Sequence, residues 1–192
     1  MIIAILAGAP GSGKSTHSKL LKEKLNFVHI STGDIFREEI ELNTELGKLA
    51  KSLIDKGNFV PDEIVCEIIE KIIKKSNKDT KFVFDGFPRN YNQAEEFEKL
   101  LNKLNLRVNV FVELNVSEDN LISRLTKRSK DSNRKDDSNF EIIKHRIEVY
   151  KSNTQIINDF YSSKTKCFKI NGNRAIEDVS GEIFDKIIKS TN

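Results

Sequence analysis

Cysteine is scarce in this sequence. Cys66 and Cys167 are the only two in 192 residues. By themselves they are too few for a four-ligand zinc site, and nothing marks them as a disulfide, so two reduced, buried thiols are expected. Long apolar runs are also missing, and none reaches the roughly 18 residues of a membrane-spanning helix. The opening MIIAILAGAPG lacks the charged segment of a signal peptide and is short for one, so a soluble, cytoplasmic protein is expected. Neither sign of charge dominates: 32 Lys and Arg stand against 29 Asp and Glu, a net charge of +3. The lysines are scattered, with no long basic tract or interleaved aromatic series, so no nucleic-acid partner is implied. There is no internal repeat and no low-complexity linker. What remains is a chain long enough for one compact domain, 38% hydrophobic and 32% charged.

Short strand-like runs alternate with longer amphipathic segments. Strands are predicted at 2–7, 27–31, 81–85, 107–114 and 167–171, and helices at 16–25, 62–74, 93–104, 117–128 and 141–160. In the last helix Ile143, Ile147, Tyr150, Thr154 and Ile157 share a face. This alternation predicts an α/β fold of βαβ units, with a parallel sheet covered on both faces. Two stretches break the rhythm. Residues 32–60 read as a helical insertion without a strand. Residues 129–139, SKDSNRKDDSN, carry no aliphatic residue and read as an exposed, projecting loop.

The sequence Gly8-x-x-x-x-Gly13-Lys14-Ser15 fits the phosphate-binding loop pattern and lies between a strand-like run and a helix-like run. Phosphate oxygens need several converging backbone N–H groups, and side chains at the glycine positions would block that approach. The following helix directs its positive end at the phosphates. Lys14 adds a mobile cation, and Ser15 or Thr16 suits a phosphate or a magnesium shell. A capping turn for the first helix is the alternative, which the strand–turn–helix placement disfavours. His17 reads as a helix-surface residue and receives no role.

Two further segments suit anions. In STGDIFR (31–37), Thr32 and Arg37 suit one anionic ligand and Asp34 suits the cap of the next helix. In FVFDGFPRN (82–90), Asp85 ends an apolar run, where a Walker-B carboxylate would hold water around magnesium. Gly86 then permits close approach, Pro88 stiffens the turn and Arg89 offers a two-pronged phosphate fork. Singly, each also reads as an ordinary turn or surface ion pair.

Together these residues resemble the nucleoside monophosphate kinases, and most closely the short-lid adenylate kinases. GAPGSGKST, STGDIFR, GKLAKSLIDKGNFVPDEIV, FDGFPRNYNQAEEF, RLTKR, DSNRKDD and HRIEVYKSNTQIINDFY follow the family's order and spacing over nearly the whole chain. The resemblance implies a three-layer P-loop fold with a five-stranded parallel sheet. It implies a core of 1–30, 61–126 and 138–192, an AMP-binding insertion at 31–60 and a short lid at 127–137. It places ATP on Gly11, Ser12, Gly13, Lys14, Ser15, Thr16, Arg128 and Arg174, with Gly172 an alternative to Arg174 beside the adenine. It places AMP on Thr32, Arg37, Asn58, Phe59, Val60, Gly86, Phe87, Pro88, Arg89 and Gln93. Arg134 and Arg146 match arginines that gather the transferring and acceptor phosphates. Ser15 stands where the family often has glycine. The lid is short and cysteine-free, so no structural zinc is expected.

The implied reaction moves a phosphoryl group from ATP to AMP and gives two ADP, with Mg²⁺ accompanying ATP and a monomer as the usual state. The acceptor phosphate is already largely deprotonated near neutral pH, so no general base is required. The reaction needs alignment and dense positive charge. Lys14, Arg89, Arg128, Arg134 and Arg146 meet that need, with Arg124, one helical turn before Arg128, a further candidate. A UMP/CMP kinase is the rival within the class, and Thr32 and Gln93 favour AMP over it. A non-catalytic nucleotide sensor is the rival outside it, and would not require the full set of cations.

Overall fold

The computed structural model describes residues 1–131, 135–137 and 139–191. Five strands form one sheet: β1 (Ile2–Gly8), β2 (Val28–Ser31), β3 (Lys81–Asp85), β4 (Val110–Asn115) and β5 (Lys166–Asn171). Their order is β2-β3-β1-β4-β5, and every pairing is parallel. The connecting helices are α1 (Lys14–Leu25), α2 (Thr32–Glu41), α3 (Glu45–Ile54), α4 (Asp62–Lys74), α5 (Tyr91–Lys103), α6 (Glu118–Asp131), α7 (Phe140–Ser162) and α8 (Ile176–Thr191). A short 3₁₀ turn, Lys135–Asp137, lies between α6 and α7.

Strand alternation builds the three layers. Ile3, Ile5, Phe82, Phe84 and Phe111 point to one face and pack on Val65, Ile69, Ala94, Phe97 and Ile157 of α4, α5 and α7. Ala4, Leu6, Val83, Val110 and Val112 point to the other and pack on Leu21 of α1 and Val179, Ile183 and Ile187 of α8. With both faces covered, the central strand β1, IIAILAG, is apolar throughout, as a buried parallel strand requires. The α/β three-layer expectation is met.

The strand order turns back at β1, whose neighbours are β3 and β4. Ligands of open parallel sheets lie beyond the carboxyl ends of the strands at such a switch point. The glycine loop follows β1 there, Asp85 closes β3, and Ser31 closes β2.

Several sequence expectations need correction. The strand expected from Arg107 begins at Val110: Asn109 N donates to Ile3 O at 2.8 Å, but Ile3 N returns to the Asn109 side chain, Oδ1 at 2.8 Å, rather than to a backbone carbonyl. Helix α6 does not stop at Arg128 but runs to Asp131, as 129–131 contain neither glycine nor proline. The 129–139 stretch is therefore not wholly an exposed loop, and Asp136 and Asp137 within it are buried. The cap of α2 is Ser31, whose Oγ accepts from Asp34 N at 3.2 Å, while the Asp34 carboxylate pairs with Arg37. Cys167, on edge strand β5, is exposed and Cys66 half-buried, so neither thiol is fully buried. His17 is not on the surface: it is 4% exposed and faces α8.

Candidate active site

The loop between β1 and α1 is held by Gly13, which caps α1 at φ 99°, a conformation that favours glycine. Ser12, 1% exposed, has an Oγ with no hydrogen-bond partner among the described residues. An orphaned buried hydroxyl on a loop of this kind suits a ligand oxygen. The Lys14 ammonium folds back onto the loop and donates to Gly8 O at 2.6 Å and Ala9 O at 3.0 Å. Burial lowers its pKa to about 8, helped by the charges of Arg89, Arg128 and Arg146 and opposed by Asp85. A lysine surrounded by other cations is poised to gain from an anion.

Across 70 positions of sequence, Ser15 Oγ donates to Asp85 Oδ2 at 2.5 Å. His29 Nε2 lies 3.4 Å from the same oxygen. Burial alone would raise the Asp85 carboxyl. Hydrogen bonds from His29 and Ser15, with the Lys14 charge, outweigh it and hold the pKa at about 2. An ionised carboxylate beside a hydroxyl fits the outer shell of Mg²⁺, which takes few protein oxygens and keeps its waters. Among the described residues no group of three or more His, Cys, Asp or Glu could hold a metal ion.

A second group of cations faces this loop. Gly86, at φ 74°, turns the chain after β3, and its carbonyl accepts from Thr32 Oγ1 at 2.9 Å and Arg89 Nε at 2.6 Å. The Arg89 guanidinium lies over the Phe59 ring, 5.3 Å from its centroid. Burial, with the neighbouring Arg146 charge, lowers its pKa to about 10. Gln93 Oε1 accepts from Arg89 N at 2.8 Å.

A third group comes from α6 and α7. Asp137, 1% exposed, accepts from Arg128 Nε at 2.6 Å and Nη2 at 3.0 Å, and from Arg146 Nη1 at 2.6 Å. Burial opposes ionisation of this carboxyl, but Arg128 and Arg146 lower its pKa. Arg146 also contacts the Asp136 carbonyl at 2.9 Å and carboxylate at 3.0 Å. Arg124 Nη2 donates to Gly172 O at 2.9 Å. Arg174 donates to Asn171 O at 3.1 Å and pairs with Glu182.

One continuous cleft of about 470 Å³ connects these groups. It is lined by Gly11–Thr16, by Thr32 and Arg37, by 58–60, by Gly86, Pro88, Arg89 and Gln93, and by Arg124, Arg128, Arg146, Gly172 and Arg174. Most of the site residues expected from sequence therefore meet in one place. Phe87 does not: its side chain turns into the core against Phe84 and Phe97. Arg134 lies outside the described residues. Asp136, Asp137 and His29 were not anticipated. The acidic doublet among basic residues was the available signal for the first two, because buried carboxylates need cationic partners. A cleft with cations converging from several sides can align two anionic ligands.

The family profile for adenylate kinase matches residues 6–166. Over 190 residues the chain is 44% identical to an adenylate kinase of Bacteroides thetaiotaomicron, covering 98% of this chain and all of that one. Over 187 residues it is 41% identical to an adenylate kinase of Parabacteroides distasonis and 38% to one of Flavobacterium psychrophilum, each covering 97% of this chain and 98% of the relative. With the parallel sheet and the glycine loop at its switch point, these matches establish that the chain belongs to the adenylate kinase family.

Proposed function

We propose that the protein transfers a phosphoryl group between ATP and AMP, reversibly giving two ADP, and so balances adenine nucleotides. One observation carries this reading: the glycine loop and the Arg37–Arg89–Gln93 group line the same cleft from opposing elements. A site for a single nucleotide would not need both.

On the donor side, backbone N–H groups of Gly11–Thr16 and the orphaned Ser12 hydroxyl receive the ATP phosphates. Lys14 exchanges the Gly8 and Ala9 carbonyls for them. Asp85, with Ser15 or Thr16, would hold Mg²⁺, which when bound would supply charge neutralisation on ATP. Arg124, already bonded to the Gly172 carbonyl, sets the backbone near Gly172 and Arg174 that meets the donor adenine. On the acceptor side, Thr32, Arg37, 58–60 and Gly86–Arg89 surround AMP, with Phe87 contributing through backbone. Gln93 reads the base edge, as amides do for adenine elsewhere.

Lys14, Arg89, Arg128, Arg134 and Arg146 gather the moving phosphoryl group. Charge preorganised there lowers the barrier without proton transfer, and exclusion of water prevents loss to hydrolysis. Residues 1–30, 61–126 and 138–192 then act as the core, 31–60 as the AMP-binding insertion and 127–137 as the lid. Asp137 occupies Arg128 and Arg146 before phosphates arrive. Among the described residues no helix is long and apolar enough to cross a membrane. A cytoplasmic monomer without nucleic-acid partners is the accompanying reading.

A coupled assay of ATP with AMP, UMP, CMP or GMP tests it. AMP is expected to be the fastest acceptor. Faster use of UMP or CMP would make the protein a pyrimidine nucleotide kinase, and ATP binding without transfer would make it a sensor.

A further inference from the structure

The side-chain amide of Gln93 has two partners that leave it one orientation. Its Oε1 accepts from Arg89 N at 2.8 Å, and its Nε2 donates to Asp62 Oδ1 at 2.7 Å. A backbone N–H can only donate and an ionised carboxylate can only accept. Turning the amide over would set NH₂ against N–H and carbonyl oxygen against carboxylate. Both bonds would be lost where Gln93 is 2% exposed and water cannot replace them.

Asp62 is itself fixed. Asn90 Nδ2 donates to its two oxygens at 2.9 and 3.1 Å, and Asn90 Oδ1 accepts from Gln93 N at 2.9 Å to cap α5. Asp62 opens α4, where the helix dipole favours a carboxylate. Gln93 lines the cleft, whereas Asp62 stands behind it. With both bonds made, the amide keeps one N–H and one oxygen lone pair for a ligand.

We propose that Asp62, acting through Gln93, decides which purine monophosphate this site accepts. This rests on the reading of Gln93 as the group that meets the acceptor base. Adenine presents an amino donor at C6 beside a bare ring nitrogen, N1. Hypoxanthine presents the reverse: a carbonyl acceptor beside an N–H donor. With ribose and phosphate held alike, the two bases require opposite orientations of the amide. Asp62 and the Arg89 N–H both resist the orientation that hypoxanthine needs. The backbone half of this lock cannot be substituted, so Asp62 is the variable half. It is a positioning residue, touching Gln93 and not the base.

The test compares kcat/KM for AMP and for IMP, at saturating ATP, in the wild type and in Asp62→Asn, Asp62→Ser and Asp62→Glu. Asparagine and serine can donate as well as accept, so only the Arg89 N–H still resists turning of Gln93. The AMP-to-IMP ratio is expected to fall about tenfold or more in both, with KM for AMP raised and KM for ATP unmoved. Glutamate, still acceptor-only, is expected to restore most of the ratio. An unchanged ratio in a folded Asn or Ser variant overturns the role of Asp62 while leaving the wild-type preference for AMP intact. A wild type that does not prefer AMP overturns the underlying reading, and this inference with it. Independently of any variant, the Gln93 NH₂ protons are expected to exchange slowly with solvent in wild-type NMR spectra. Fast exchange of both overturns the lock.

Discussion

His17 Nδ1 lies 2.8 Å from Ser180 Oγ, joining the first turn of α1 to α8 across 163 positions of sequence. The other edge of the ring sits beneath the glycine loop, with Nε2 3.4 Å from where a Cβ on Gly13 would be. Burial, and then the charge of Arg124, lower the His17 pKa to about 4. The unfolded chain takes up this proton near pH 6.5, whereas the folded one does not until about 4. Stability is therefore lost as pH falls through that window, by about 2 kcal/mol between pH 7.5 and 5. Urea unfolding at the two pH values measures the loss. His17→Gln keeps a partner for Ser180 but cannot titrate, and is expected to remove that part of the slope.

The lowered pKa of Lys14 gives ATP binding a pH dependence of definite sign. In the free protein the ammonium loses its proton near pH 8, and phosphates stabilise the protonated form. Binding above pH 8 therefore takes up a proton, and affinity falls about tenfold per pH unit until the pKa of the bound state is reached. Titration calorimetry at pH 8.5, in two buffers of different ionisation heat, measures the uptake. Lys14→Met is expected to stay folded, lose the proton uptake and abolish transfer. Near-normal turnover in that variant would remove Lys14 from the site.

Asp137 holds Arg128 and Arg146 where the phosphates are proposed to sit. Asp137→Asn removes the carboxylate charge that Arg128 and Arg146 share, while Arg146 keeps its contacts to Asp136. A loss of about 1–3 kcal/mol is expected, because charge-assisted hydrogen bonds from both arginines become bonds to a neutral amide. Phosphates would supply the missing negative charge. The rise in Tm on adding ATP with AMP is thus expected to be larger for Asp137→Asn than for the wild type, and an equal rise would separate Asp137 from the phosphate positions.

Sequence pattern was most readable where the physics is local. Strand β3 and helix α4 have the bounds their apolar spacing predicts, and the glycine loop lies between β1 and α1 as its motif demands. Patterns failed where a distant partner reverses the local preference. Asp136 and Asp137 lie in the most charged stretch of the chain and read as solvated, yet Arg128 and Arg146 bury them. His17 reads as a surface residue until α8 packs against it. Asp62 is only the first residue of the helix predicted at 62–74, since nothing local indicates that Gln93, 31 residues on, will donate to it. Phe87 lies inside a segment proposed to surround AMP, but its ring obeys the core, tilted against Phe84 and edge-on to Phe97. Motif residues whose backbone matters were therefore legible. Side chains that orient other side chains were not.

Gly86 tests how tightly backbone and acceptor site are coupled. Its φ of 74° favours glycine, and a Cβ there would lie 2.7 Å from Arg89 Nη2. In Gly86→Ala the backbone strain costs about 1–2 kcal/mol, and Arg89 must leave its bond to the Gly86 carbonyl. The same carbonyl holds Thr32, so two proposed AMP contacts move together. KM for AMP is expected to rise and kcat to fall, while KM for ATP changes little because the glycine loop is untouched. Gly181→Ala is the matched control: in α8 its added Cβ meets nothing within 4 Å, and it is expected to gain about 0.5–1 kcal/mol of stability with unaltered kinetics. Equal kinetic effects from both substitutions would show that global stability, rather than the position of Arg89, sets the rate.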